Sequence, residues 1–243
     1  MNQYEESHFS RVAPAGAELR RPVAATSPGA PIMPRRQVTL LAILVGFGLL
    51  LVGGMAILSE LRDEPLSVLT KDPTAVKGLD FETGILTRIE VVVWVAAAAA
   101  ALTAAFLARR LRRQEEPILF GFGLLGLVMA VDDSLTVHEA VSSVVGVPLI
   151  ELGYVVALGW LLWRFRDRLL TSTPVLLLAG ALIGMGLSEA VDLLDDHTAL
   201  EAGAALEDIF KFLGIILYSG FLVLIAQAVI DSVGRESSAS EPR

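Results

Sequence analysis

The chain has 243 residues, 54% of them hydrophobic, no cysteine and a net charge of −8. Its mean hydropathy of +0.64 goes with a composition too apolar for a soluble domain, where apolar residues make up roughly 45–50%. The missing cysteine excludes disulfides, thiol catalysis and thiolate metal sites. The arginines hug the ends of apolar runs without interleaved aromatics, which argues against a nucleic-acid surface.

Residues 1–37 are rich in Pro, Ala, Ser and Arg and lack a periodic apolar face, so they are expected to form a disordered cytoplasmic tail. Apolar runs follow at about 38–58, 86–108, 118–139, 148–165, 174–194 and 205–230, each near the ~20 residues that cross a hydrocarbon core as a helix. The first run exceeds the ~7–15-residue core of a signal peptide and lacks a small-x-small cleavage site, so it is read as an uncleaved span. The fold class expected is therefore all-α, a polytopic bundle of six transmembrane helices over 38–231, with a second disordered cytoplasmic tail at 232–243.

Charge sets the expected orientation. Arg35 and Arg36 precede the first run, Arg109, Arg110, Arg112 and Arg113 follow the second, and Arg164, Arg166 and Arg168 follow the fourth. The connections after the third and fifth runs carry neither Lys nor Arg. By the positive-inside rule both termini and the arginine-rich connections are cytoplasmic, in the cell membrane. The 59–84 connection is long, mixed in charge and punctuated by Pro65, Pro73 and Gly78; it is either a solvated loop or a lid.

Gly126-Leu-Val-Met-Ala-Val-Asp132 lines up with Gly186-Leu-Ser-Glu-Ala-Val-Asp192, and Gly46-Phe-Gly-Leu-Leu50 with Gly121-Phe-Gly-Leu-Leu125. Three helical-hairpin repeats would explain this, and so would chance identity in Ala/Leu/Gly-rich helices.

With that topology nearly all ionisable groups within the spans gather at the extracytoplasmic end. They are Glu90 on the second run, Asp132, Asp133, His138 and Glu139 on the third, and Glu151 on the fourth. Glu189, Asp192 and His197 follow on the fifth, and Glu207, Asp208 and Lys211 on the sixth. At roughly 100° per residue, Asp132 shares an arc with Glu139, while Glu207 and Lys211 begin a stripe that continues to Gly214 and Tyr218. Such groups are costly in a membrane and are read as functional by default. The acids outnumber the fixed cations Arg88 and Lys211, so either some carboxyls hold protons or a divalent metal supplies positive charge. Carboxylates with imidazoles favour Zn, Mn or Fe over Ca or Mg.

Asp132-Asp-Ser-Leu-Thr-Val-His-Glu139, followed by Glu207-Asp-Ile-Phe-Lys-Phe-Leu-Gly214, resembles patterns in uncharacterised multi-pass prokaryotic membrane proteins. These have an acid-acid-x4-His-Glu helix and a later acid-acid-x2-Lys helix. The resemblance implies no activity. The membrane hydrolase superfamily that contains alkaline ceramidases also places acids and histidines in helices. This chain lacks its paired final-helix histidines and has one span fewer, so no site is carried over.

Three functions fit. One is a metal-dependent membrane hydrolase acting on a lipid or lipid-linked substrate. Its ligands would be Asp132, His138 and Asp192, with His197 and Glu207 in reserve and Glu139 or Glu189 as general base. The others are a metal-binding scaffold or sensor, and a proton or divalent-cation transporter. The uncharged stretches Ile118–Val131 and Val175–Leu187 count against simple permeation.

Overall fold

A computed structural model describes residues 34–62, 66, 84–135, 149–172, 174–198 and 203–239. Over these the fold is all-helical: α1 (Pro34–Arg62), α2 (Ile85–Arg110), α3 (Glu116–Leu135), α4 (Leu149–Ser172), α5 (Val175–Thr198) and α6 (Gly203–Ala239). Five helical stretches, Ala42–Arg62, Ile85–Arg110, Glu116–Leu135, Val175–Leu194 and Ala205–Val233, are long and apolar enough to cross a membrane. The chain is thus a multi-pass helical membrane bundle. α4 differs. Its uncharged stretch, Leu152–Trp163, is bounded by Glu151 and Arg164, although its 24 residues rise about 36 Å at ~1.5 Å each. A crossing by α4 relies on arginine stems that lie along apolar surface while their heads reach water.

Two helices outrun the apolar runs that mark them by several residues. α6 continues to Ala239, into the stretch expected as a tail, and α4 continues to Ser172. Hydropathy marks where a helix meets hydrocarbon; backbone hydrogen bonding continues past that boundary. α2 opens after Gly84 at φ 64°, a left-handed conformation suited to glycine. It closes with Arg113 N–H donating to the Ala108 carbonyl and Arg112 N–H to that of Arg109. This is a Schellman-type ending with Arg112, at φ 54°, in the position glycine usually takes.

α6 is the axis of the bundle. It packs most extensively on α5, then on α2, and also meets α1 and α3. Phe212, Ile215, Tyr218, Phe221, Leu222 and Ile225 are all buried, as befits a helix apolar on every side. Small residues decide the approaches, as is usual between membrane helices. A Cβ on Gly214 would stand 2.9 Å from the Met185 backbone nitrogen, and one on Gly184 would stand 2.9 Å from the Gly214 Cα. α5 and α6 therefore touch backbone to backbone. On α2 the buried alanines 97, 98, 101, 104, 105 and 108 form a flat face that Gly123 of α3 approaches over Ala101.

The three candidate hairpins pack unequally. α5 and α6 form a tight antiparallel pair, α3 and α4 a loose one, and α1 rests on α6 and α5 rather than on α2. The tightest interfaces, α5–α6 and α2–α3, are not the set a threefold hairpin repeat would give.

Candidate functional site

Helices α2, α3 and α6 bring charge into the bundle at one level. Glu90 lies one to two turns into α2 and is 3% exposed. Asp133, in the last turn of α3, is 9% exposed. Lys211 of α6 donates through Nζ to Asp133 Oδ1, forming a part-buried ion pair. Glu90 and Asp208 stand within electrostatic reach of the same ammonium. The Asp133 carboxylate keeps its second oxygen, Oδ2, buried with no hydrogen-bond partner among the described residues. Lys211 still leaves 34% of its side chain accessible, so the pair is reachable from outside. Three carboxyl groups surround one lysine, more than one cation can neutralise in a setting where isolated charge is expensive.

A second group adjoins the first on the α5 side of α6. Glu207 is within electrostatic reach of Asp192, Asp208, Lys211 and Glu189. Glu189 and Asp192 are exposed and Glu207 is half-buried. One turn of α6 thus serves two sites. Glu207 leans toward the acids of α5, whereas Lys211, within reach of Glu207 and Asp208, makes its ion pair with Asp133 of α3.

Asp132 belongs to neither group. Its neighbour Asp133 is ~100° away around the helix, and the two diverge. Asp132 accepts a hydrogen bond from the Tyr154 hydroxyl of α4, while Asp133 faces Lys211.

Beneath the inner group the bundle closes. Trp94, one turn past Glu90, meets Tyr218 edge-on with ring centroids 6.5 Å apart. The Tyr218 hydroxyl donates to the Phe122 carbonyl at 2.7 Å, and Phe122 stacks edge-on with Phe221 at 5.3 Å. Deeper still come Ile118, Leu119, Ala101, Ala104, Ala105 and Leu222, all buried. Among the described residues the interior below Tyr218 carries no charged side chain. The geometry is a polar cluster resting on an aromatic layer.

Residues 38–225 match the model of a family described as a domain of unknown function, DUF8692. The chain belongs to that family. No curated protein and no solved structure matches it. Every residue of both charged groups lies inside the DUF8692 match, as do α2 to α5 entire.

Of the residues singled out by sequence in this DUF8692 chain, the structure gathers Glu90, Asp133, Asp208 and Lys211 in one place. It gathers Glu189, Asp192 and Glu207 in another. His138 and Glu139 lie outside the described residues, and of Glu151 and His197 only the helical backbone is described. Among the described residues no three His, Asp or Glu side chains are grouped to hold a metal ion. Arg88, counted as a balancing cation, is exposed, which leaves Lys211 as the cation of the inner group. Three participants escape a reading of charge alone: Tyr154, Trp94 and Tyr218's bond to the Phe122 carbonyl. Tyr154 carried a signal, since it lies i+3 from Glu151 on a face otherwise apolar.

Proposed function

We propose that this protein is a membrane-embedded hydrolase that works from one leaflet on a lipid or lipid-linked substrate. The observation that carries the reading is the Lys211–Asp133 pair, with Glu90 buried beside it, above the layer formed by Trp94, Tyr218 and Phe122. A group buried at such cost without a path through the bundle favours recognition or chemistry over conduction. The arginine distribution supports an extracytoplasmic position for the cluster, with both termini in the cytoplasm.

In this reading Lys211 is the anchor for an anionic substrate group, and Glu189, or Glu139 from the following segment, takes a proton from water. Asp132, His138 and Asp192, supported by His197 and Glu207, would hold a divalent ion, Zn, Mn or Fe in preference to Ca or Mg. A bound ion would supply the nucleophilic water. Glu189 and Asp192 lie within electrostatic reach of Glu207. The described carboxylates need His138 or His197 to complete a ligand set, because none is complete without them.

Mass spectrometry of membrane lipids tests the reading. Cells making the protein should gain a lipid product that cells making Glu189→Gln or Lys211→Met lack, and purified protein should carry about one divalent ion per chain by elemental analysis. Unchanged lipids, with metal-free protein whose melting is indifferent to chelator, would overturn the hydrolase in favour of a scaffold or sensor.

A further inference from the structure

The opposite end of the bundle holds a different kind of site. α4 and α5 are joined through Pro174, yet they hardly pack on each other. Between them lies a crevice of about 190 Å³, lined by Leu162, Leu169 and Leu170 of α4 and Val175, Leu178 and Leu182 of α5, with Ala179 at its wall. The one charged residue on its lining is Arg166, which shares a helical face with Leu162, Leu169 and Leu170 at i, i−4, i+3 and i+4. Arg166 keeps 65% of its side chain accessible, and its ion pair with the neighbouring Asp167 is a long one at 3.6 Å. Arg168 donates to the Gln114 carbonyl. That bond ties the end of α4 to the α2–α3 connection, so the arginines of both stand at the same end.

A leucine-lined slot with a guanidinium at its edge matches a molecule that is hydrocarbon along its length and negative at its head. We propose that the crevice holds one acyl chain of an anionic phospholipid, with the lipid phosphate on Arg166. Basic pockets between membrane helices recognise such headgroups, and a guanidinium binds phosphate through two parallel N–H donors. The ligand explains why two consecutive helices can stand apart without leaving a void: the acyl chain replaces the side-chain contacts they do not make. It sits on the α4–α5 hairpin, away from Glu90, Asp133 and Lys211, and does not depend on their function.

The test uses full-length protein in phosphatidylcholine nanodiscs, with spin-labelled phosphatidylglycerol or phosphatidylcholine as the probe of motionally restricted lipid. Phosphatidylglycerol should be held about fivefold more strongly than phosphatidylcholine, the ratio given by ~1 kcal/mol per basic residue near the surface. Arg166→Gln should remove the preference. Arg164→Gln, two residues away and off the crevice lining, should retain it, and Ala179→Phe, which fills the slot, should abolish it. Equal retention of the two lipids would overturn the proposal. So would equal losses in Arg164→Gln and Arg166→Gln, which would mean general surface attraction. Should Ala179→Phe fail to fold, the two arginine variants decide the matter alone.

Discussion

The two charged groups beside α6 are built from the same residue types and lie within a turn of each other, yet they live in different surroundings. Around Lys211, a lysine from one helix, an aspartate from a second and a glutamate from a third are drawn into the bundle. Around Glu207, acids from α5 and α6 gather at a more exposed edge, sharing the electrostatic reach of Lys211 rather than pairing with it. The inner group is bound into the fold, because each member is a problem for the fold without the others. The outer group is carried by the fold without supporting it. Stability should therefore respond to the first and be nearly indifferent to the second, whereas function can respond to both.

The largest effect should come from breaking the inner pair. Lys211→Met leaves Asp133 and Glu90 buried without a cation and should cost about 3 kcal/mol, the lower end of the range for buried pairs, because part of Lys211 is accessible. Thermal unfolding in detergent measures it. Adding Asp133→Leu to that variant should restore part of the loss, and no restoration would mean the pair is not the reason for it.

Next comes the contact that sets how closely α5 approaches α6. Gly214→Val forces a side chain into the Met185 backbone and should cost about 1–3 kcal/mol by overpacking. Gly186, whose Cβ position is open, is the control: Gly186→Ala should be neutral or slightly stabilising in the same assay.

A smaller loss, about 1 kcal/mol, is expected for Tyr154→Phe, which removes the hydroxyl that serves Asp132. Asp132→Asn combined with Tyr154→Phe should cost less than the two single losses added, as contacting residues do in a double-mutant cycle. Strict additivity would separate the two residues.

The smallest effect belongs to the outer group. Glu189→Gln and Asp192→Asn should each stay within ~0.5 kcal/mol of wild type, as surface substitutions do. A loss as large as that of Lys211→Met would erase the distinction between the groups.

Much of this was legible in the chain alone. Hydropathy marks the helices because a spanning segment has to satisfy its backbone internally and show apolar side chains to lipid. The acids are conspicuous because so few such residues occur inside spans. The alternation of arginine-rich and arginine-free connections separates the two ends of the bundle. Gly184 is visible as a small residue suited to close approach, but Gly214 reads as part of the polar stripe, and nothing local pairs the two.

Tertiary structure decided how the charges divide. Helical periodicity relates residues on one helix, so it set Lys211 with Glu207, four positions away. The ion pair formed instead with Asp133, 78 residues distant, because α3 crosses α6 where Gly126 lets Trp94 and Tyr218 come close. Asp132 and Asp133, adjacent in sequence, were parted in the same way. One faces α6 and the other α4, since neighbouring side chains on a helix point ~100° apart and the bundle places a different helix in each direction. Periodicity is a property of one helix; which acid meets the lysine depends on where its neighbours lie, and packing alone fixes that.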